Sequence, residues 1–191
     1  PPLLIKRLIM ALKSKVYKVN LSVSDTDRHH YQDYTLTVAC HPSETEGRMC
    51  LRLAIFASFA NPKLAFTRGL CATDEPDIWQ KDDTGIIERW LDLGWPDEKR
   101  IAKACGLANE VIVIAYGRNT APWWQSIESK TTRFKRLRVL DAGENIIEKL
   151  EPLVATSMTL TATIADGVLW MSNGEHTIEL ALNWLKQESP H

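Results

Sequence analysis

The chain has 191 residues, with 23 Lys and Arg against 24 Asp and Glu, a formal net charge of -1. Hydrophobic residues make up 45% and charged residues 25%, which excludes a disordered chain, a collagen-like repeat and a disulfide miniprotein and predicts one sizeable core. No global basic field marks a nucleic-acid partner, so such a site must be local.

Pro1 to Ile9 is apolar but carries Lys6 and Arg7. It is too short for a membrane span and lacks a small-residue cleavage site, so residues 1–9 are read as an extension ahead of Met10. Lys13 to Val23 alternates, with Tyr17, Val19, Leu21 and Val23 on one side, as a half-buried strand does. Tyr34 to Val38 alternates again after a polar stretch, which predicts an early hairpin.

Ser43 and Glu46 have capping-box spacing and open a helix to about Ala60, where Asn61-Pro62 stops it. Its apolar residues wrap widely, which predicts packing on a sheet. Asp77 to Lys81 and Ile87 to Leu93 flank the turn Asp82-Asp83-Thr84-Gly85 and read as a second hairpin. A helix from Pro96 to about Ala108, with early acids and later bases, leads to a buried strand at Val111 to Ala115. Strand, helix and apolar strand form a crossover, so part of the sheet is expected to be parallel.

Further elements are a helix at Pro122–Ser129, a strand at Phe134–Leu140, a helix at Glu144–Leu150, and strands near Thr156–Ile164 and Val168–Ser172. The last two are joined by Asp166-Gly167, a type I′ turn signal. These elements predict an α/β (α+β) fold, a mixed central β-sheet flanked by helices, in a single domain over residues 10–187. Cys40, Cys50, Cys71 and Cys105 lie far apart, as reduced thiols of a cytoplasmic protein do, and no membrane association is expected.

In the central hairpin the favoured register sets Asp77 against Asp92, Trp79 against Trp90 and Lys81 against Glu88. The aromatic and opposite-charge pairs support it, whereas two carboxylates about 5 Å apart repel. One remedy is a divalent cation, Mg²⁺ or Mn²⁺, with Asp77 and Asp92 as ligands, able to activate water for attack on a phosphate. The competing reading is two aspartates at a solvated strand end, or a register off by two.

Arg133, Arg136 and Arg138, with Lys130 and Lys135, form a dense basic run. It reads either as a phosphate-binding stretch or as a solvated strand edge. Trp79, Trp90, Trp95, Trp123 and Trp124 suit base stacking or core packing.

Met10-Ala-Leu-Lys, His41-Pro-Ser-Glu-Thr-Glu-x-Arg-Met, Phe66-Thr-Arg-Gly-Leu, Asp74-Glu-Pro-Asp-Ile-Trp and Gly94-x-Pro-Asp-Glu-x-Arg-Ile are similar to blocks of the YaeQ family. Trp123-Trp124-Gln125 and the stretch from Thr159 to Gly167 extend the resemblance over nearly everything after residue 9. It implies a variation of the PD-(D/E)XK nuclease-like, restriction-endonuclease-like fold. In that pattern a helix carboxylate, a strand aspartate and an acid two residues before a lysine surround a metal. Carried over, Glu44 or Glu46 is the helix acid, Asp77 the strand aspartate and Asp92 the third acid, with Glu44 joining Asp77 and Asp92 as metal ligands.

Gly94 occupies the lysine position and can neither orient water nor stabilise charge. Lys81 or Lys103 is then the candidate cation. Glu44 and Glu46 also have a helix-terminus explanation, and a carboxylate at that helix start, with Arg48 one turn on, is placed to reach a metal or phosphate held on the neighbouring sheet. Two functions follow as expectations: a metal-dependent nuclease or phosphodiesterase, or a non-catalytic module binding nucleic acid or protein on a degenerate nuclease fold.

Overall fold

The structure, a computed structural model, describes residues 14–187. The extension expected over residues 1–9 lies outside the described residues. In chain order the elements are β1 (Lys15–Asp25), β2 (His30–Cys40), α1 (Glu46–Ser58), β3 (Leu64–Phe66), a 3₁₀ turn (Gly69–Cys71), β4 (Ile78–Lys81) and β5 (Ile87–Leu93). They continue with α2 (Glu98–Leu107), β6 (Ala108–Ala115), α3 (Thr120–Thr131), β7 (Leu137–Asp141), α4 (Ile146–Leu150), a 3₁₀ turn (Glu151–Leu153), β8 (Ser157–Ala165), β9 (Val168–Ser172), β10 (Thr177–Ala181) and β11 (Asn183–Lys186).

Two mixed sheets replace the single central sheet expected from the sequence. One has the order β10-β9-β8-β1-β2 and the other β11-β7-β6-β5-β4-β3. The reason lies in α1, where every residue from Met49 to Ala57 is buried. A helix buried on all sides needs cover on all sides, and one sheet covers only one.

The first sheet contributes Tyr17, Val19, Leu21 and Val23 to this core, and the second contributes Ile78, Leu91, Ile112 and Ile114. On the far face of the second sheet Trp90, Val111, Val113 and Val139 pack with Ile101 and Ala104 of α2 and Ile127 of α3. The expected parallel pairing is found for β5 with β6 and β6 with β7. β1 also runs parallel to β8.

The capping expectation shifts by two residues, from Ser43 to Thr45. Thr45 is the N-cap and accepts the Arg48 N–H at 3.1 Å. The position that a capping-box Glu would need belongs to Arg48, so Ser43 and Glu46 do not form a box; Ser43 instead bonds His41. In α2 Asp97 caps the Arg100 N–H, but the last turn carries no base. Short β3, β10 and β11 escaped the sequence reading. The Asp166-Gly167 turn has φ of 52° and 73°, as a type I′ turn requires, and the Asp27 carboxylate accepts both its N–H groups at 2.8 and 2.9 Å.

Gly47 permits a close approach of α4 to α1. A Cβ there would lie 2.6 Å from Ile147 Cγ2 and 2.8 Å from the Ile147 carbonyl oxygen. Gly47→Ala is therefore expected to lower stability by about 1–3 kcal/mol in urea unfolding. Adding Ile147→Ala does not restore it, because the carbonyl remains.

Candidate functional site

Glu44 precedes the Thr45 cap and is buried. Arg52, two turns into α1, forks it through Nε at 3.0 Å and Nη2 at 2.6 Å, and Arg48 Nη1 donates to the same carboxylate. Arg48 and Arg52 thus stand at i, i+4 positions on one face of α1, and Glu44, just ahead of the cap, meets both. Asp77 lies immediately before β4. Its Oδ2 accepts the Leu93 N–H at 2.8 Å, and both its oxygens accept from Arg48 at 3.2 Å.

Arg48 is completed by Nη2 to the Leu93 carbonyl at 2.9 Å and Nε to Tyr116 Oη at 3.2 Å. Every N–H of its guanidinium has a protein acceptor. Burial works to lower its pKa, but Asp77 and Glu44 outweigh burial, so its pKa rises and it stays charged.

Asp92, on β5, is forked by Arg100 of α2, with Nε at 2.7 Å and Nη2 at 2.9 Å. The same guanidinium reaches the carbonyls of Thr73 at 2.6 Å and Glu75 at 2.9 Å. The Asp92 hydrogen bonds are the largest cause of a raised Arg100 pKa.

The central register holds at its middle, where Trp79 pairs with Trp90. Asp77 and Asp92 line one cleft of about 300 Å³ together with Arg48, Arg100, Leu70 and Trp95. A shift between Gln80 and Lys81 then sets Lys81 against Ile87 rather than Glu88. Gln80 takes Glu88 at 2.7 Å instead, and the Lys81 ammonium lies over the Trp79 ring at 3.7 Å. Lys103 is exposed on α2, and neither lysine lines the cleft. Glu46 faces away from it, bonded to Tyr17 Oη and to Lys15 at 3.1 Å. Gly94 has φ of 128°, a backbone that an L-lysine rarely adopts.

The basic run is drawn into ion pairs and packing. Arg133 pairs with Glu98 at 2.7 Å, Arg138 with Glu110 at 2.9 Å, and Arg136 donates to the Ala108 carbonyl at 3.4 Å. Arg138 also covers Trp184 at 3.9 Å. Of the tryptophans, Trp90 is buried, Trp79, Trp123 and Trp124 are half-buried, and Trp95 is exposed. Trp95 packs against Tyr116 with ring centroids 4.8 Å apart and planes tilted by 45°. It also separates the cleft from a second hollow of about 580 Å³ at the ends of β6 and β7, lined by Tyr116, Arg118 and Asn145 among others.

Mg²⁺ or Mn²⁺ requires several carboxylate and water oxygens in octahedral array. The oxygens of Asp77, Asp92 and Glu44 are already directed at guanidinium and backbone N–H groups, and among the described residues no cluster of three His, Cys, Asp or Glu side chains fits a metal. The residues as arranged do not fit either ion. Arg52, Arg100 and Tyr116 were missed from sequence; the i, i+4, i+8 run of Glu44, Arg48 and Arg52 was the available signal for the first.

Residues 10–182 match the family model described as YaeQ protein. The chain is 44% identical over 181 residues to "Uncharacterized protein YaeQ" of Escherichia coli (strain K12), spanning 94% of this chain and all of that one. The protein of the same description from Salmonella typhi is 42% identical over the same shares. The crystal structure of the YaeQ protein from Xanthomonas axonopodis pv. citri superposes with a TM-score of 0.88 at 38% identity, covering 92% of this chain and 99% of the other. The YaeQ protein from Pseudomonas syringae gives 0.86 at 30%, covering 92% and 97%.

Proposed function

We propose that this chain, which belongs to the YaeQ family, is a non-catalytic protein-binding module on a PD-(D/E)XK-like scaffold, acting in the cytoplasm. The observation that carries this reading is the Arg48 guanidinium, which joins Glu44, Asp77, Leu93 and Tyr116 with every N–H engaged. Acids held this way brace the helix against the sheet. The glycine backbone at position 94 supports the same reading, since it disfavours the lysine that hydrolysis would use.

The binding surface is the cleft above these ion pairs. Leu70 is 45% and Trp95 38% exposed, two of the large apolar side chains that remain open to solvent, and both line the cleft. An apolar rim over a neutralised floor fits a segment of a partner protein that presents an apolar side chain. It does not fit a polyanion, because the arginines beside it are already paired.

The competing reading, a metal-dependent nuclease or phosphodiesterase at Asp77 and Asp92, is favoured by their opening into one cleft. It requires both arginines to leave. A photo-crosslinking residue at position 70, introduced into the chain in cells, distinguishes the two. The expected result is one discrete protein adduct that Trp95→Ala abolishes; a nucleic-acid adduct, or no adduct, contradicts the proposal.

A further inference from the structure

The sheets end in edge strands of very different kinds. β3 has 3 residues and β10 has 5. β11 has 4 residues, a shifted register and a terminal lysine. Shortness, bulges and lysines are the usual means of keeping an edge from pairing. β2 has none of them: it runs for 11 residues from His30 to Cys40, pairs with β1 without a register shift, and carries one charged side chain, Asp33.

Its open groups follow from parity. Lys18 and Thr26 direct their N–H groups to Thr156 and Ile164 on the β8 side, so the odd residues of β1 face β2. Their partners are Gln32, Tyr34, Leu36 and Val38, and directly opposed antiparallel residues exchange either both bonds or none. Tyr31, Asp33, Thr35, Thr37 and Ala39 therefore direct N–H and C=O away from the sheet. Ala39 confirms the direction, since its carbonyl accepts Arg52 Nη2 at 2.7 Å from outside the ladder.

We propose that β2 is a self-association surface, pairing antiparallel with β2 of a second copy to join the two sheets edge to edge. The charges select one register. Centring the twofold axis on Asp33 opposes two carboxylates, which is repulsive. Centring it on Thr35 requires the Ala39 carbonyl, already taken by Arg52. Centring it on Tyr34 sets Asp33 against Thr35 of the second copy and Tyr31 against Thr37 of the second copy. The outward N–H and C=O groups of these residues then all find partners.

The same register brings apolar area together. Tyr31 is 62% exposed, and Tyr34 and Leu36 are only partly buried against the core. Tyr34 meets Phe56 edge-on at 5.3 Å, and Phe56 stacks on Phe66 of β3 at 5.1 Å. This row of rings runs from the edge of one sheet to the edge of the other.

Analytical ultracentrifugation of the full chain and of Thr35→Pro tests the pairing. Proline removes an N–H that faces outward, so the β1 ladder keeps its bonds. The wild type is expected to sediment as a dimer as concentration rises, and Thr35→Pro as a single chain that unfolds cooperatively like the wild type at its lowest, undimerised concentration. A wild type that stays single at its highest soluble concentration overturns the proposal, and so does a dimer that survives Thr35→Pro. Should the variant not fold, hydrogen exchange on wild type decides. The Tyr31, Asp33, Thr35 and Thr37 amides must slow with rising concentration, and exchange independent of concentration overturns the pairing.

Discussion

Replacing Arg48 by Met lowers the free energy of unfolding by about 3–5 kcal/mol, the range for removing one partner of a buried ion pair. The Arg48 side chain is 12% exposed, and Asp77 and Glu44 beside it are more deeply buried. Without the guanidinium Asp77 keeps, among the described residues, only the Leu93 N–H as a donor. Glu44 retains Arg52, so Asp77 supplies most of the loss. Arg48→Lys recovers only part of it, because an ammonium cannot fork Asp77 while also reaching Leu93 and Tyr116. Chemical denaturation of the three proteins measures this directly. Arg133→Ala, which removes a surface pair with Glu98, serves as the contrast and changes stability by less than about 1 kcal/mol.

Phe56→Ala costs a similar amount, about 3–5 kcal/mol, through a different mechanism. Phe56 is 1% exposed on the helix between the two sheets and touches both sides through Tyr34 and Phe66. Deleting the ring leaves a cavity whose walls belong to separate sheets, so neither can collapse onto the other without moving α1. The denaturation midpoint should fall with little change in slope. A loss under about 1 kcal/mol would mean that the sheets close over the gap.

The sequence made local structure legible wherever a pattern had one physical cause. The alternation of β1, the Trp79–Trp90 pair and the Asp166-Gly167 turn each follow from side-chain period or turn chemistry, and each is found. The two-sheet arrangement was harder to read, because the wide apolar face of α1 says that cover is needed but not how many sheets supply it. Lys81 was misplaced by a single shift in register after Gln80, which moves its side chain without leaving any trace in composition.

The candidate acids illustrate a second limit. Their positions at the ends of α1, β4 and β5 were readable, but what faces each carboxylate was not. Arg100 reaches Asp92 across the β5–α2 turn, and Tyr116 joins Arg48 from the end of β6. The first depends on how α2 folds back over β5, and the second on how elements distant in the chain converge. Asp77 against Asp92 looked repulsive in isolation, and a cation was the natural remedy. The protein supplies that positive charge itself, through Arg48 and Arg100.

The most direct test of this account is Mn²⁺ titration followed by electron paramagnetic resonance, with wild type beside Asp77→Asn/Asp92→Asn. With the carboxylates occupied by arginine, wild type is predicted to leave the free Mn²⁺ signal unchanged, like the double variant. One Mn²⁺ bound per wild-type chain, and lost in the variant, would contradict it and return Asp77 and Asp92 to the role of metal ligands.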